Sequence, residues 1–593
     1  MSRHPFQRRR AHSGSAYVLI LSLSVVLSLI GFAGIAQQRL TVRHSGLEQG
    51  WHEAADLAHS AVDHALNRIA VDIWWRETLA SYESNFTPET ALGRGSFSWR
   101  IEDLADNDLN DNDVAPVRIH GRGRVGHAVR AYSVVAFPFG SALDVLRCAV
   151  HAGGELDVDD VLDVRLGPAS SNALIGLNNG QIIGAAEALL VDVPANVTEG
   201  ATFPVPAKTM PGAAVWAVYK LMATEIRYSD LPSGNLEHIL ISAASNPYRP
   251  DKTNSDGLYF IKIPAFTNLG IQDCRIEGTL AIELSDSASL KILPNVVWKP
   301  HRADYPALIA YTTKDTATDV EIDCSGQIDE TSSGVNFNPP HTPFFGQSDA
   351  DTADTYNASL RGLFHVIRNV ATPSSRTKIE SQRTIRGAII ADGEIRVIGP
   401  CRVAADPMLL ANPPLGYTAA PAPANLLSNG DMESGLTAWS PLGPLTVLVP
   451  DGGAHSGAKR MTVKNRSAAS EGIRQDVTGG LTNNAVFVSD VWLMMHDAPE
   501  ATRISLEVDA TGSGTQWFSA TTPTIQKSSW TRAVVPLTVI WVGDLNYARW
   551  VVMTTTSNQE FRIDDALLTP LIPGPPAPRI LPVPGTWQPE AVQ

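Results

Sequence analysis

Five aspartates fall within the short run "DLADNDLNDND", at Asp103, Asp106, Asp108, Asp111 and Asp113. Carboxylate oxygens at this density suit a hard cation such as calcium, which takes six to eight oxygens from a flexible loop. The run lacks the central glycine and closing glutamate of an EF-hand loop. Two uses therefore stand side by side. Asp103, Asp106, Asp108 and Asp111 ligate calcium, or the run is a solvated turn whose Asp side chains bond their own backbone. A second acidic stretch holds Asp349, Asp351 and Asp354 in "NFNPPHTPFFGQSDADTADTY". Turn-forming residues dominate there, so a surface loop is the stronger expectation.

Aromatic rings offer a different chemistry. Trp439, Trp492, Trp517, Trp530, Trp541 and Trp550 lie in the C-terminal third. A flat apolar ring with a polar edge can cover the C–H face of a pyranose. Trp492 and Trp550 sit inside the apolar runs "FVSDVWLMM" and "YARWVVMTT", where core and binding face are both open. Trp517, in "GSGTQWFSA", lies nearer a turn and is the first choice for an exposed platform. The four cysteines, Cys148, Cys274, Cys324 and Cys401, are too far apart for a CxxC metal site. They form up to two disulfides or stay as buried thiols. No carboxylate set with a neighbouring base stands at a spacing that marks a hydrolase or lyase.

The chain has 593 residues, 44% hydrophobic and 18% charged, with a formal charge of −15. That length exceeds one core and implies three or four domains. The negative balance argues against nucleic acid as a partner, which needs a basic patch.

These groups must be held by distinct elements. Arg3, Arg8, Arg9 and Arg10 precede a run from Ser15 to Ala36 without a charge. Such a run is close to the ~20 residues that span a bilayer, and the arginines keep the N-terminus cytoplasmic. Residues 15–36 are therefore expected as a transmembrane helix, with a cleaved secretory signal as the alternative. Beyond it, Ala54, Leu57, Ala58, Ala61, Ala65 and Ile69 repeat at helical spacing. The helix should continue out of the membrane and pack on a domain. Residues 94–136 alternate as strands around the acidic run, giving a small antiparallel sheet.

A basic leader, the Gly14-Ser15 junction, an apolar helix and its amphipathic continuation resemble a type IV pilin or pseudopilin over residues 1–136. The resemblance implies cleavage after Gly14 by a prepilin peptidase, with Ser15 as the new N-terminus, and assembly with other pilin-like subunits. Most pilins carry Glu at the fifth mature position, where this chain has Leu19. The pseudopilin K and pilin X-like minor subunits tolerate that loss, and "SFSWRIEDLADNDLNDND" resembles the acidic segment of the K-type subunits.

From 137 to 415 short strands are punctuated by Gly and Asn. "CAVHAGGELDVDD" and "GAIIADGEIRVIG" share one pattern, a short apolar strand, Gly, an acidic residue and then Leu-x-Val or Ile-x-Val. This implies stacked coils, and it resembles the β-solenoid segments of pilin X-like surface proteins and bactofilin-like polymers. A β-sandwich assembly is the alternative. "AAVWAVYKLMATEIRYSD" reads as a helical insertion. Residues 416–424 form an Ala/Pro linker.

Residues 425–570 open on "NLLSNGDMESGLTAWSPLG", continue through "GAHSGAKRMTVKN" and close on "FRIDDALLTPL". They resemble a carbohydrate-binding module of the family 4/9 (CenC-like) type, a jelly-roll β-sandwich, with Met432 in place of the usual aromatic. The resemblance implies a calcium ion held by Glu433 and Asp565, and a polysaccharide ligand. Residues 571–593 read as a proline-rich tail without a core.

The whole is expected to be multidomain and mainly β: a pilin-like stem, a solenoid-like body and a jelly-roll tip. The function expected is structural and adhesive, presenting a polysaccharide-binding module at the cell envelope. The alternatives are a surface polysaccharide hydrolase or lyase with a catalytic solenoid, and a secretion-system tip pseudopilin with no glycan ligand.

Overall fold

The computed structural model describes residues 13–72, 75–109, 112, 114–312, 318–368, 376–419, 425–570 and 579–591. Asp111 and Asp113 lie outside these. The chain divides into two compact units, Met1–Pro421 with Pro576–Gln593, and Ala422–Pro575.

The first unit begins with a single helix, Ser13–Val71, of 59 residues. At 1.5 Å per residue it is about 88 Å long. Its first half presents Tyr17, Leu19, Leu23, Val26, Leu29 and Phe32 outward, all more than 49% exposed except Val26 at 49%. That half is long and apolar enough to cross a membrane. In the second half Ala54, Ala58, Ala61, Val62, Ala65 and Ile69 are wholly buried. They pack on an antiparallel sheet of Thr90–Leu92, Gly95–Asp103, Val117–Val125 and Ala128–Pro138, each strand paired with the next. Two glycines permit the close approach. A Cβ on Gly121 would stand 2.2 Å from the Ala58 carbonyl oxygen, and one on Gly123 equally near that of Ala54.

The C-terminal segment corrects an expectation. Residues 579–591 are not a coreless tail. Ile580–Pro582 pairs antiparallel with Ala136–Pro138, and Gln588–Pro589 pairs with Tyr132–Ser133. Ile580 is buried in the core under the helix. Proline is tolerated because these are edge strands, where a missing N–H breaks no ladder on the open side. The Ala422–Pro575 unit is thus inserted between the body of the first unit and its last strands.

The rest of the first unit is a stack of coils in three parallel ladders. One ladder runs Leu258–Ile263, Thr279–Leu284, Leu308–Thr312, then the second parts of Ser359–Arg368 and Thr384–Ala391. It continues through Val150–Ala152, Ala169–Gly176 and Ala186–Val191. The stacking order is therefore not the chain order. The chain enters mid-stack at Val150 and winds outward to Ala201–Thr202. It then crosses over through the helix Val215–Met222 to start again at the far end with Thr224–Glu225. The helical insertion is confined to those eight residues. The last coil, near Ile389, closes against the first, near Val150.

The two similar stretches in the sequence turn out to be neighbours in space. Ile389 stands over Val150 and Ala391 over Ala152, while Ile395 stands over Leu156 and Val397 over Val158. Identical positions stack, so one apolar pattern fills both coils. Inside lie Leu, Ile, Val and Ala from every coil, with Cys274, Cys324 and Cys401 among them. All four cysteines are free and buried. Burial pushes the thiols of Cys148 and Cys324 up to about 11. At one corner Gly362 and Gly387 stack with φ +99 and +144, and a Cβ on Gly387 would fall 1.9 Å from the Gly362 carbonyl oxygen. Between Asp323 and Ser359 the chain leaves the stack as a long loop, closed at its base by Gln327–Asp329 pairing with Thr355–Asn357.

The second unit is a sandwich of two five-stranded antiparallel sheets. The first has the order Trp439–Leu442, Gly472–Asp476, Leu545–Thr554, Glu500–Ala510, Gly514–Ile525. The second has the order Val447–Asp451, Arg460–Lys464, Phe561–Pro570, Ala485–Met495, Thr531–Val539. Ile504, Leu506, Val508, Trp550 and Val552 of the first meet Phe487, Leu493, Val535 and Ile563 of the second in one core.

Candidate functional site

Side chains alternate across a strand, so the partners of the core residues in the first sheet face away from the core. Register then assembles them into rows. Asp476 stands opposite Arg549, Arg549 opposite Glu507, and Glu507 opposite Trp517. The next row along places Tyr547 opposite Asp509 and Asp509 opposite Thr515. Four strands at ~4.8 Å spacing make the first row about 14 Å long.

The row has the makings of a sugar site. Trp517 is 46% exposed. Beside it Glu507 is 8% exposed, and its Oε1 accepts a hydrogen bond from the Tyr547 hydroxyl at 3.2 Å. Arg549 lies over the Tyr547 ring, 4.2 Å from its centre, with Nη1 3.6 Å from Glu507 Oε2. That Oε2 is buried and makes no hydrogen bond among the described residues. Asp509 is held by Thr515 and Asn546, whose hydrogen bonds keep its carboxyl below the usual range. An apolar ring, a phenol and a guanidinium on one face, the last two held by a buried carboxylate, can stack a pyranose and bond its hydroxyls.

Of the three tryptophans singled out from the sequence, only Trp517 lies on this face. It sits within the strand Gly514–Ile525, in register with Glu507. Trp550 is not a platform. It is fully buried, and its Nε1 donates to Ser489 Oγ at 3.0 Å. The strand that carries it turns even positions inward, which leaves Arg549 and Tyr547 outward. Trp492 belongs to the other sheet, where its half-buried ring stacks on His455 at 3.8 Å. Glu507, Arg549 and Tyr547 were missed by sequence reasoning. The alternation in "RISLEVDAT" and "YARWVVMTT" marks which of them share a face, but only register aligns the two strands.

Glu433 and Asp565 both engage the turn at 455–459. Glu433 Oε1 accepts from the backbone N–H of Ala458 and Lys459. Asp565 accepts from the Ser456 hydroxyl at 2.8 Å and meets His455 Nδ1 at 2.7 Å. Asp564 beside it is fully buried, and burial together with the charge of Asp565 pushes its carboxyl up to about 7. Asp565 also holds a left-handed backbone, φ 45, in the middle of a strand. Glu433, Asp564 and Asp565 form no shared ligand group among the described residues, because Glu433 is taken by two amides of the turn and Asp565 by His455 and Ser456.

The acidic run of the stem behaves differently. Asp103 is 2% exposed and points inward, with Oδ2 3.6 Å from Arg76 Nη1 and Oδ1 accepting from the Ala105 amide at 2.6 Å. Asp106 accepts from the Asp108 amide, a turn bond. Asp103, Asp106 and Asp108 form no shared ligand group among the described residues, because Asp103 is drawn to a buried guanidinium and Asp106 to its own backbone. Asp111 lies outside the described residues. Gly14 and Ser15 fall in the first turn of the long helix.

Residues 424–554 match the family model CBM_4_9, a carbohydrate binding domain. The match falls on the sandwich that carries the Trp517 row. Similar solved structures include the CBM22-2 xylan-binding domain of Paenibacillus barcinonensis Xyn10C, at 19% identity over 24% of this chain and 96% of that one, TM-score 0.22. The C-terminal family 22 carbohydrate binding module of Clostridium thermocellum Xyn10B also matches, at 19% identity over 25% of this chain and 96% of that one, TM-score 0.22. No curated protein matches the chain.

Proposed function

We propose that the chain is a glycan-binding protein of the cell envelope, and that it binds polysaccharide along the Asp476–Arg549–Glu507–Trp517 row of its C-terminal sandwich. The observation that carries this is the placement of a half-exposed Trp517 in one cross-strand row with Glu507 and the Arg549 guanidinium. The match of residues 424–554 to a carbohydrate binding domain supports the reading. The ring covers one sugar face. Glu507 holds Arg549 and Tyr547 in place from behind, and their guanidinium and hydroxyl bond the hydroxyls of the chain beside the ring. Each such contact is worth little in water, so affinity is modest and comes from several sugars along the row.

The sandwich is a jelly roll and the coil stack a β-solenoid in this reading. The long helix anchors the protein in the inner membrane with its N-terminus cytoplasmic and the bulk exported, or seats it among pilin-like subunits after cleavage between Gly14 and Ser15. The test is affinity electrophoresis of the full chain in detergent, through gels containing soluble β-glucans and xylans. The wild-type protein is retarded by at least one of them. Equal mobility in every gel would refute the proposal.

A further inference from the structure

The tip of the loop that leaves the coil stack between Asp323 and Ser359 folds back against the coils and walls a cleft of about 230 Å³. Phe344, Phe345 and Gly346 form the loop side, while Glu277, Lys299 and Arg361 line the coil side. The tip is a two-residue hairpin turn, in which the amides of Phe344 and Gln347 each donate to the other's carbonyl, at 2.8 and 2.9 Å. Both residues of the turn are left-handed, Phe345 at φ 48 and Gly346 at φ 79. Such a turn favours Asn-Gly, and a bulky aromatic at its first position is strained. The strain gains nothing for the core, because Phe345 is 66% exposed.

The coil side supplies the second observation, an excess of cations. Arg361 lies over the Phe345 ring, its Cζ 4.9 Å from the centre, and no carboxylate pairs with it among the described residues. Arg386 of the next coil stands directly in register with it, and like charges so placed destabilise a ladder. Burial and the charge of Arg386 hold the Arg361 guanidinium below its usual range, outweighing the attraction of Asp406. Lys299 lies in the neighbouring coil and is half-exposed. Its partner Glu277, at 3.1 Å, is shared with Arg275 at 2.6 Å, which leaves the Lys299 ammonium N–H donors to spare.

We propose that this cleft is a second glycan site, which takes a uronate residue of an acidic polysaccharide. The pyranose packs on the exposed Phe345 ring, and its carboxylate takes Arg361 and Lys299. A planar guanidinium meets a carboxylate through two parallel hydrogen bonds, and the bound anion relieves the repulsion between Arg361 and Arg386. The cleft is smaller than the ~300–1,000 Å³ that encloses a drug-sized molecule, so it holds one ring of a longer chain. The aromatic wall selects a carboxylate carried on a sugar ring over one carried on a peptide. The class of polymer rests on the glycan reading of the sandwich, whereas the cleft lies wholly in the first unit and is read separately from it.

Affinity electrophoresis of the full chain in detergent tests this, in a Trp517→Ala background that removes the ring of the sandwich row. Gels containing polygalacturonate should retard this protein. Adding Arg361→Gln should weaken the affinity about tenfold, the scale of one lost charge-assisted contact. Phe345→Asn should weaken it about as much. Its loop peptides at 343–349 should keep or gain hydrogen-exchange protection, because Asn suits the left-handed position, so that loss of binding is not loss of fold. Polyglutamate, which has carboxylates but no sugar ring, should leave the mobility unchanged. Absence of retardation by polygalacturonate would overturn the proposal, as would retardation that Arg361→Gln leaves undiminished. Equal retardation by polyglutamate would also overturn it, in favour of an acidic peptide. Retardation of the unsubstituted chain by neutral glucans and xylans reports on the sandwich alone, so either site can fail without the other.

Discussion

At the scale of single residues, one carboxylate ties the loop at 555–559 to the first sheet of the sandwich. Glu500 opens the strand Glu500–Ala510 and is 9% exposed. Its Oε1 accepts from the amides of Thr555, Thr556 and Ser557, and its Oε2 from Gln559 Nε2 at 2.7 Å. Burial alone would raise its carboxyl, but the hydrogen bonds of Ser557, Gln559 and the loop amides outweigh it and bring it down to about 2. A carboxyl that is more acidic folded than unfolded contributes stability above its ordinary value of 4.5, and loses it as pH falls toward 2. Glu500→Gln should therefore cost about 1–3 kcal/mol at pH 7. The gap from wild type should shrink as pH is lowered below 4.5, which denaturant unfolding of the sandwich at several pH values will measure. An equal gap at pH 7 and pH 3 would assign Glu500 a packing role only. The residue scale is also where sequence reading was least complete. Trp517 was legible as an aromatic outside the longest apolar runs. Glu507 and Arg549 were not, because their meaning depends on strands 500–510 and 545–554 being neighbours in one register.

At the scale of elements, the amphipathic period of the first helix was enough to predict that it continues beyond the apolar run and which stripe it buries. The glycines of "IHGRGRVG" were not read, since the sequence does not show what approaches them. A Cβ at Gly123 would meet the Ala54 carbonyl at 2.2 Å and the Ala58 amide nitrogen at 2.6 Å, both backbone atoms of the helix. Gly123→Ala must push the helix off the sheet. We expect a loss of about 1–3 kcal/mol, the usual scale of overpacking. The melting of the full chain in detergent should show it in the stem's exchange-protected amides. An unchanged protection of residues 95–137 would mean the helix does not bear on this sheet. The coil pattern was legible for a related reason. The stretches around Val150 and Ile389 look alike because they stack on one another. Their order was not legible, because pairing between residues more than two hundred positions apart leaves no local mark. The proline-rich end was misread because composition alone does not distinguish a coreless tail from an edge strand that needs few donors.

At the scale of the whole molecule, the chain passes from an apolar helix to a coil stack, out into a separate sandwich, and back to the first sheet. If the helix is processed as in pilins, Edman sequencing of the exported protein will start at Ser15, and a start at Gln37 would show that a signal peptidase removes the helix. The central claim, however, is that the sandwich binds polysaccharide by the face that carries Trp517. The unit Ala422–Pro575 has its own core and is compact by itself, so it can be studied alone. Isothermal titration with soluble β-glucan and xylan oligosaccharides should give saturable binding to the wild-type unit. In Trp517→Ala that binding should weaken by at least about tenfold, which is ~1.4 kcal/mol, with the melting temperature nearly unchanged because the ring is half exposed. Wild-type affinity in Trp517→Ala, or no heat with any glycan in the wild-type unit, would contradict the account.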